Sequence, residues 1–126
     1  MAGNLSNYLE TRVLDHILGT TTFTRPTAYL ALYTVAPTDS TAGTEVTGGS
    51  YARKTIAFNA ASAGAATNSA NVDFTGMPTA TVVAVAVVDA LTAGNILVYG
   101  PLTTSRSVVA GDTLRISAGD LSISID

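Results

Sequence analysis

The sequence predicts a mainly β protein: a single antiparallel β-sandwich or jelly-roll-like domain that carries one N-terminal α-helix. Three observations support this fold class. Short apolar runs with the two-residue period of strands recur from residue 27 onward. Glycine-containing turns separate these runs, and no crossover helix is available between them. A helical period of about four residues occurs only near the start of the chain.

The length of 126 residues suits one domain, because domains cluster at about 100–150 residues. We therefore expect a single domain over residues 1–126, with a helix at 5–19 and a β-sandwich at 27–126. The helix either covers the sandwich or projects from it as an attachment element.

An amphipathic pattern with a broad apolar face defines the predicted helix. Asn7 and Glu10 have the spacing of a capping pair, and Asn4 is the alternative N-cap. Gly19 provides the left-handed residue that ends many helices. The apolar face consists of Leu5, Tyr8, Leu9, Val13, Leu14, Ile17 and Leu18.

After Pro26 the period changes to two, and seven or eight short strands follow. The run at 81–89 is nearly continuous in Val and Ala, which indicates a central strand covered on both faces. Residues 59–69 are rich in Ala, Ser and Asn and are expected to form an open connection. Pro101 is expected to end or bulge its strand. The predicted strands are 29–34, 51–58, 71–74, 81–89, 96–99, 107–109, 113–117 and 121–125.

Composition narrows the classes of partner. The net charge is −3 and the six basic residues are dispersed, which argues against nucleic acid, since phosphate binding needs clustered Lys and Arg. The longest apolar run, Val82–Val88, is too short to span a bilayer. The first ten residues lack the pattern of a secretory signal, so we expect folding in a cytoplasm. Charged residues form only 12% of the chain, about half the usual share, which favours a surface covered by copies of itself or by a partner.

The sequence predicts no catalytic, cofactor-binding or metal-binding residues, and it does not identify a partner interface. Asp15 and His16 are adjacent, so on a helix they diverge by about 100° and cannot act as an acid–base pair. Asp39, Thr41 and Glu45 offer only two carboxylates for a hard cation, so turn capping is the favoured interpretation. We therefore expect that the protein is not an enzyme.

Two other features have a functional and a structural interpretation. Gly48-Gly49 lacks the Lys-Ser/Thr and the helix of a phosphate-binding loop. Four tyrosines could form an aromatic platform for carbohydrate, but their positions on predicted strands favour packing in the core or at its rim. These residues are Tyr29, Tyr33, Tyr51 and Tyr99.

Several stretches resemble a family of small virion structural proteins of tailed bacteriophages, often labelled tail fibre proteins. The most specific is the run Gly-Thr-Glu-Val-x-Gly-Gly-x-Tyr-Ala-Arg at 43–53. The other stretches are Leu5-Ser6-Asn7-Tyr8-Leu9-Glu10 with Leu14 and His16, Tyr29-Leu30-Ala31-Leu32-Tyr33-Thr34 with Pro37-Thr38, Asn68-Ser69-Ala70 before Phe74, Gly94-Asn95, Ala110-Gly111-Asp112-Thr113-Leu114 and Ala118-Gly119-Asp120-Leu121.

The resemblance implies a component of the virion with no catalytic residues. A compact β domain with an attachment helix looks like a capsid decoration (cement) protein, which would bridge subunits of the major capsid protein and stabilise the shell. The alternative in the same class is a tail or neck component, such as a fibre-base adaptor. A carbohydrate-binding module for host recognition is the alternative from another class. Self-association, for instance as a trimer, would cover the charge-poor faces.

Overall fold

The computed structural model describes residues 2–125, with side chains from residue 4 onward. This part of the chain contains ten strands and one helix, so the mainly β fold class is confirmed. The elements in chain order are β1 (Ala2–Leu5), α1 (Asn7–Ile17), β2 (Tyr29–Val35), β3 (Thr44–Glu45), β4 (Lys54–Thr55), β5 (Ala65–Thr67), β6 (Val72–Phe74), β7 (Ala80–Val88), β8 (Ile96–Val108), β9 (Leu114–Ile116) and β10 (Ser122–Ser124).

Two sheets make up the β structure. The larger one has the strand order β3–β2–β7–β8–β1–β10–β5, and β4 also pairs with β2. Because β7 occupies one edge of β2, β3 and β4 share its other edge. Strands β6 and β9 form the smaller sheet. All pairs are antiparallel except β1 with β10.

Both faces of β2 and β7 are buried, as their continuous apolar sequence predicts. On one face, side chains of the two sheets interdigitate to form the main core, which gives the sandwich-like arrangement. On the other face, a smaller cluster consists mostly of short side chains. The main core includes Leu30, Leu32, Val72, Phe74, Met77, Val85, Val87, Leu114, Ile116 and Leu121, and the smaller cluster consists of Ala31, Tyr33, Ala84, Ala86 and Val88.

Strand β1 was not predicted, and Leu5, expected in the helix, is its last residue. β1 lies between β8 and β10, with Asn4 opposite Tyr99 and Ala2 opposite Ser122. The sequence Ala-Gly-Asn-Leu has little strand propensity of its own. Pairing with two strands from the far end of the chain therefore determines its conformation.

Helix α1 spans 7–17 rather than 5–19, and the predicted N-caps Asn7 and Asn4 are wrong. Ser6 caps the helix: its Oγ accepts a hydrogen bond from the Leu9 N–H at 3.2 Å. The same residue donates its own N–H to the Leu97 carbonyl at 2.8 Å, which ties the start of the helix to β8. Ser6 is 4% exposed, so the cap is also a buried link between helix and sheet.

The role predicted for Gly19 at the end of the helix is confirmed, although the last helical residue is Ile17. Gly19 has φ +87°, the left-handed conformation expected of the residue that follows a C-cap. Leu18 precedes it as the C-cap and donates its N–H to the Leu14 carbonyl.

The segment expected as a strand at 51–58 is mostly irregular. Only 54–55 pairs as a strand, with one further bridge between Phe58 and Asn68. The connection expected at 59–69 contains β5, which pairs with β10. Side-chain contacts of Tyr51 and Arg53 hold the first segment away from strand geometry, and pairing with β10 makes the second a strand, so tertiary contacts override local preference in both.

Strand β8 is longer than predicted, because it continues through Pro101 and absorbs the strand expected at 107–109. β1 pairs with β8 only as far as Tyr99, so Pro101 has a ladder neighbour on the β7 side alone, where proline is tolerated. One residue of β7 then lies opposite residues 102–105 of β8, where the register shifts and β8 bulges.

The short strands β6, β9 and β10 confirm the predictions at 71–74, 113–117 and 121–125, and β7 confirms the one at 81–89. A single domain over residues 1–126 stays a prediction, and its two end residues lie outside the described part. No helix of residues 2–125 has the length and apolar character needed to cross a membrane.

Asn68 joins two segments from the interior. It is 1% exposed, and its amide nitrogen donates to the Ala70 and Ser117 carbonyls, each at 3.0 Å. Its Oδ1 accepts the Leu121 N–H at 2.9 Å. The turn that joins β9 to β10 is therefore fixed to the segment that joins β5 to β6.

We expect Asn68→Ala to lower the free energy of unfolding by about 3 kcal/mol, because it removes three side-chain hydrogen bonds and leaves the buried Leu121 N–H without that partner. Urea denaturation followed by circular dichroism measures the change. Asn59→Ala is the matched control, since the Asn59 amide makes one exposed hydrogen bond, to Thr67. Equal losses for the two variants would contradict the interpretation.

Candidate functional site

The residues considered for catalysis are used for local structure. His16 Nδ1 accepts the backbone N–H of Phe23 at 3.1 Å, which folds the chain back after the helix. Asp15 accepts hydrogen bonds from the Thr20 hydroxyl through its backbone carbonyl and its carboxylate, each at 3.3 Å. Neither contact joins the two residues into an acid–base pair.

The three oxygen-bearing residues considered for a cation are not brought together. The Asp39 carboxylate accepts a hydrogen bond from the Tyr99 hydroxyl, Thr41 bonds to Thr38, and Glu45 pairs with Arg53. Among the described residues, no group of three or more His, Cys, Asp or Glu is placed to hold a metal ion.

The four tyrosines do not share one exposed platform. Tyr33 is 3% exposed in the smaller cluster, and Tyr51 stacks on Phe74 with ring centroids 5.9 Å apart. The hydrogen bond to Asp39, followed by partial burial, raises the pKa of Tyr99 to about 12. Tyr33 and Tyr51 therefore serve packing, which was the favoured interpretation.

The run at 43–53 forms an interruption in the edge of the large sheet. The chain pairs with β2 up to Val46, whose N–H donates to the Leu32 carbonyl, and it resumes pairing at Lys54 opposite Leu30. Residues 47–53 leave the sheet between these points. The Leu32 N–H, deprived of a backbone partner there, donates to the Tyr51 hydroxyl at 3.0 Å.

Through its hydroxyl, Tyr51 links the Leu32 N–H to an ion pair between Glu45 and Arg53. Its hydroxyl donates to Glu45 Oε2 at 2.7 Å, and Glu45 accepts two further bonds from Arg53, at 3.0 and 2.8 Å. Arg53 Nη1 donates to the carbonyls of Ala90 and Ala93, both at 2.8 Å. The guanidinium of Arg53 thus joins the two ends of the interruption, through Glu45, and also binds the turn that joins β7 to β8.

The ionisation of these groups reflects their surroundings. Burial alone would raise the pKa of Glu45, but the hydrogen bonds from Arg53 and Tyr51 outweigh it and lower that pKa. The bond to Glu45 raises the pKa of Arg53 despite partial burial, and burial raises the pKa of Tyr51. The ion pair is therefore charged at neutral pH, while the tyrosine stays a neutral donor.

Two glycines of the run allow close approach of backbone. Gly43 has φ +63°, and a Cβ there would lie 2.4 Å from the Val35 carbonyl oxygen. Gly49 has φ +56°, and a Cβ there would lie 2.6 Å from the Gly76 carbonyl oxygen. Only glycine can adopt this conformation where there is no room for a Cβ. We therefore interpret the run at 43–53 as a structural clasp, in which Arg53 fastens the sheet edge to the turn between β7 and β8, rather than as a phosphate loop.

The candidate functional site is the exposed end of helix α1. No residue of the helix is fully buried. Tyr8 and Leu9, in its first half, pack against the main core. Three apolar side chains in its last turn and cap remain in solvent. We call them the helix stripe: Leu14, Ile17 and Leu18, which are 57%, 71% and 75% exposed.

The helix stripe is continuous because its members have the i, i+3, i+4 spacing of one helix face. Glu10 lies one turn before Leu14 on the same face and is exposed. The helix therefore covers the core with its first half and leaves the apolar side chains of its last turn in solvent. An exposed apolar face on a helix that is itself fixed to β8 suits docking to another protein.

Sequence analysis found the apolar face of the helix but not which half of it would remain exposed. It also did not find the role of Arg53, because the carbonyls that this residue binds lie 37 and 40 positions away. The only signal for Arg53 was its place at the end of the family-like run.

We expect Glu45→Gln to lower the free energy of unfolding at pH 7 by about 2 kcal/mol, since it removes charged hydrogen bonds from a largely buried cluster. The folded-state pKa of Glu45 is lowered, so its stabilisation is complete above the ordinary value of 4.5 and is lost as the pH falls through the lowered value. The difference between wild type and variant should therefore shrink in acid, as urea denaturation from pH 7 to pH 3 would measure.

Asp73→Asn is the control, because Asp73 and Arg115 form an exposed ion pair across β6 and β9. We expect a smaller change in the midpoint of denaturation for this variant. A Glu45→Gln variant whose deficit stayed constant down to pH 3 would contradict the assignment.

Residues 4–124 match the family described as Podophage GP4 fiber I protein gp80. No curated protein matches the chain. The matched range covers nearly the whole sequence, so the resemblance to small virion proteins of tailed phages is confirmed. The chain belongs to the podophage GP4 fiber I protein family, a family of phage fibre proteins.

Proposed function

We propose that the protein is a non-catalytic structural subunit of a podophage virion fibre, and that its work is to hold other virion proteins in place. The observation that supports this role is the helix stripe, an apolar surface projecting from a helix that is fixed to the sheet through Ser6. The chain belongs to a family of fibre proteins, which favours a place in a fibre.

Contacts of this kind become strong only when many of them act together in one particle. A single exposed turn of helix gives a weak contact, but copies tethered in one particle gain by multivalency. The rigid attachment of the helix matters here, since a docking element that is already ordered loses less conformational entropy on binding. Elsewhere in the domain, the hydrogen bonds of Arg53 to Ala90 and Ala93 and that of Asn68 to Ser117 tie loops to one another.

The second candidate is a capsid decoration protein that bridges subunits of the major capsid protein. The observation that favours it is the compact sheet, in which β1 pairs with strands near the other end of the chain and no repeated unit recurs along the sequence. An elongated fibre shaft is usually built from repeats, whereas a small closed domain suits a position on a shell.

Location in the particle separates the two candidates. We expect gold-labelled antibody against the protein, imaged on purified virions by electron microscopy, to mark fibres at the tail. Label spread over the whole shell would favour decoration instead, and particles without the protein should then lose their DNA at a lower temperature. Virions without any label would overturn both candidates. An antibody against the major capsid protein is the positive control.

A further inference from the structure

We infer that the helix stripe binds a second copy of this chain, in a groove formed by the segments 23–28 and 56–60. This inference rests on the proposed role as an assembly subunit and names one of its contacts. The groove has a volume of about 780 Å³ and is walled by Phe23, Ile56, Phe58 and Leu97, with Arg25 at its side. We call it the Phe23–Phe58 groove.

The groove and the helix stripe are both apolar. Ile56 and Leu97 form a buried apolar floor, and the two phenylalanines are half-exposed walls. An apolar groove is the kind of surface that accepts the anchor residues of an amphipathic helix. The stripe offers three such anchors, at the spacing of one helix face.

Charge favours the same pairing. Arg25 is exposed beside the groove and has no ion pair among the described residues. Glu10, on the face of the stripe, is likewise exposed and outside the ion pairs. A helix of a second copy seated in the groove can therefore bring an acidic group to a basic one, which steers the approach and sets the register.

Area favours stripe in groove over the simpler contact in which two stripes pack on each other. Two stripes would bring only three residues from each copy, far fewer than the about 20–30 residues a side of a standard interface. Packing the stripe into the groove adds the residues that line the groove. The hydrogen bond from the Phe23 N–H to His16 fixes the groove wall to the helix, so one rigid unit carries both halves of the contact.

The chain has no cysteine, so single cysteines report contacts between copies without interference. We would mix Leu18→Cys protein with affinity-tagged Ala57→Cys protein, whose new thiol lies in the groove, oxidise the mixture and separate the products on a non-reducing gel. We expect the mixed disulfide to be the main product. Thr104→Cys, on the exposed bulge of β8, replaces either partner as the control and should form little of it.

Each other outcome overturns the inference. A main product of Leu18→Cys joined to itself would mean that stripes pack on each other. Equal yields with the Thr104→Cys control would mean random collision, and no covalent product would mean that the copies do not meet. Circular dichroism of each variant verifies that it is folded before mixing.

A charge exchange provides the second measurement. Arg25→Glu and Glu10→Arg should each raise the dissociation constant of the wild-type oligomer about tenfold, because like charges then face each other. The double variant should restore association, as sedimentation velocity would measure. Failure to restore it would reject the Glu10–Arg25 pairing. Neither experiment depends on where the protein lies in the virion, so this inference can fail while the fibre location stands.

Discussion

The structure depends on how one backbone donor is satisfied. The Leu32 N–H faces the point where the edge strand leaves the large sheet, and a buried donor without a partner is costly. Tyr51 replaces the missing strand with its hydroxyl, and the same hydroxyl passes the connection to Glu45 and Arg53. A side chain thus completes a backbone ladder. The ion pair then fixes the position of the tyrosine and reaches the turn between β7 and β8 at Ala90.

Period and turn chemistry were enough to predict the parts of the fold that are locally determined. The apolar alternation of β2 and β7, and the glycine that ends α1, all correspond to the structure. Strands β1 and β5 could not be predicted in this way, since neither has a strand-like sequence and each is held by β10. The N-cap was misplaced for the same reason. Ser6 is the cap because its N–H and hydroxyl also bond to β8, and these long-range bonds cannot be inferred from the local sequence.

The candidate site was predictable in kind but not in extent. The seven apolar positions of the helix share a broad face, yet only contact with the core distinguishes Leu9, which is covered, from Leu18, which is not. The groove could not be inferred at all, since its walls come from segments some 30 positions apart that are brought together by the edge of β2. Whether a side chain is exposed depends on the residues packed against it. The period of the sequence indicates only which face of an element is apolar.

The position of β1 has a consequence for biosynthesis. This strand is among the first parts of the described chain to leave the ribosome, and its partners Tyr99 and Ser122 are among the last. Until β8 emerges, β1 has no strand to pair with, and until β10 emerges the second edge of β1 stays open; the long sequence separation slows closure of the sheet. We expect the nascent polypeptide to stay incompletely folded until β10 has been translated, so that premature encounters between newly made copies are held back until each sheet is closed.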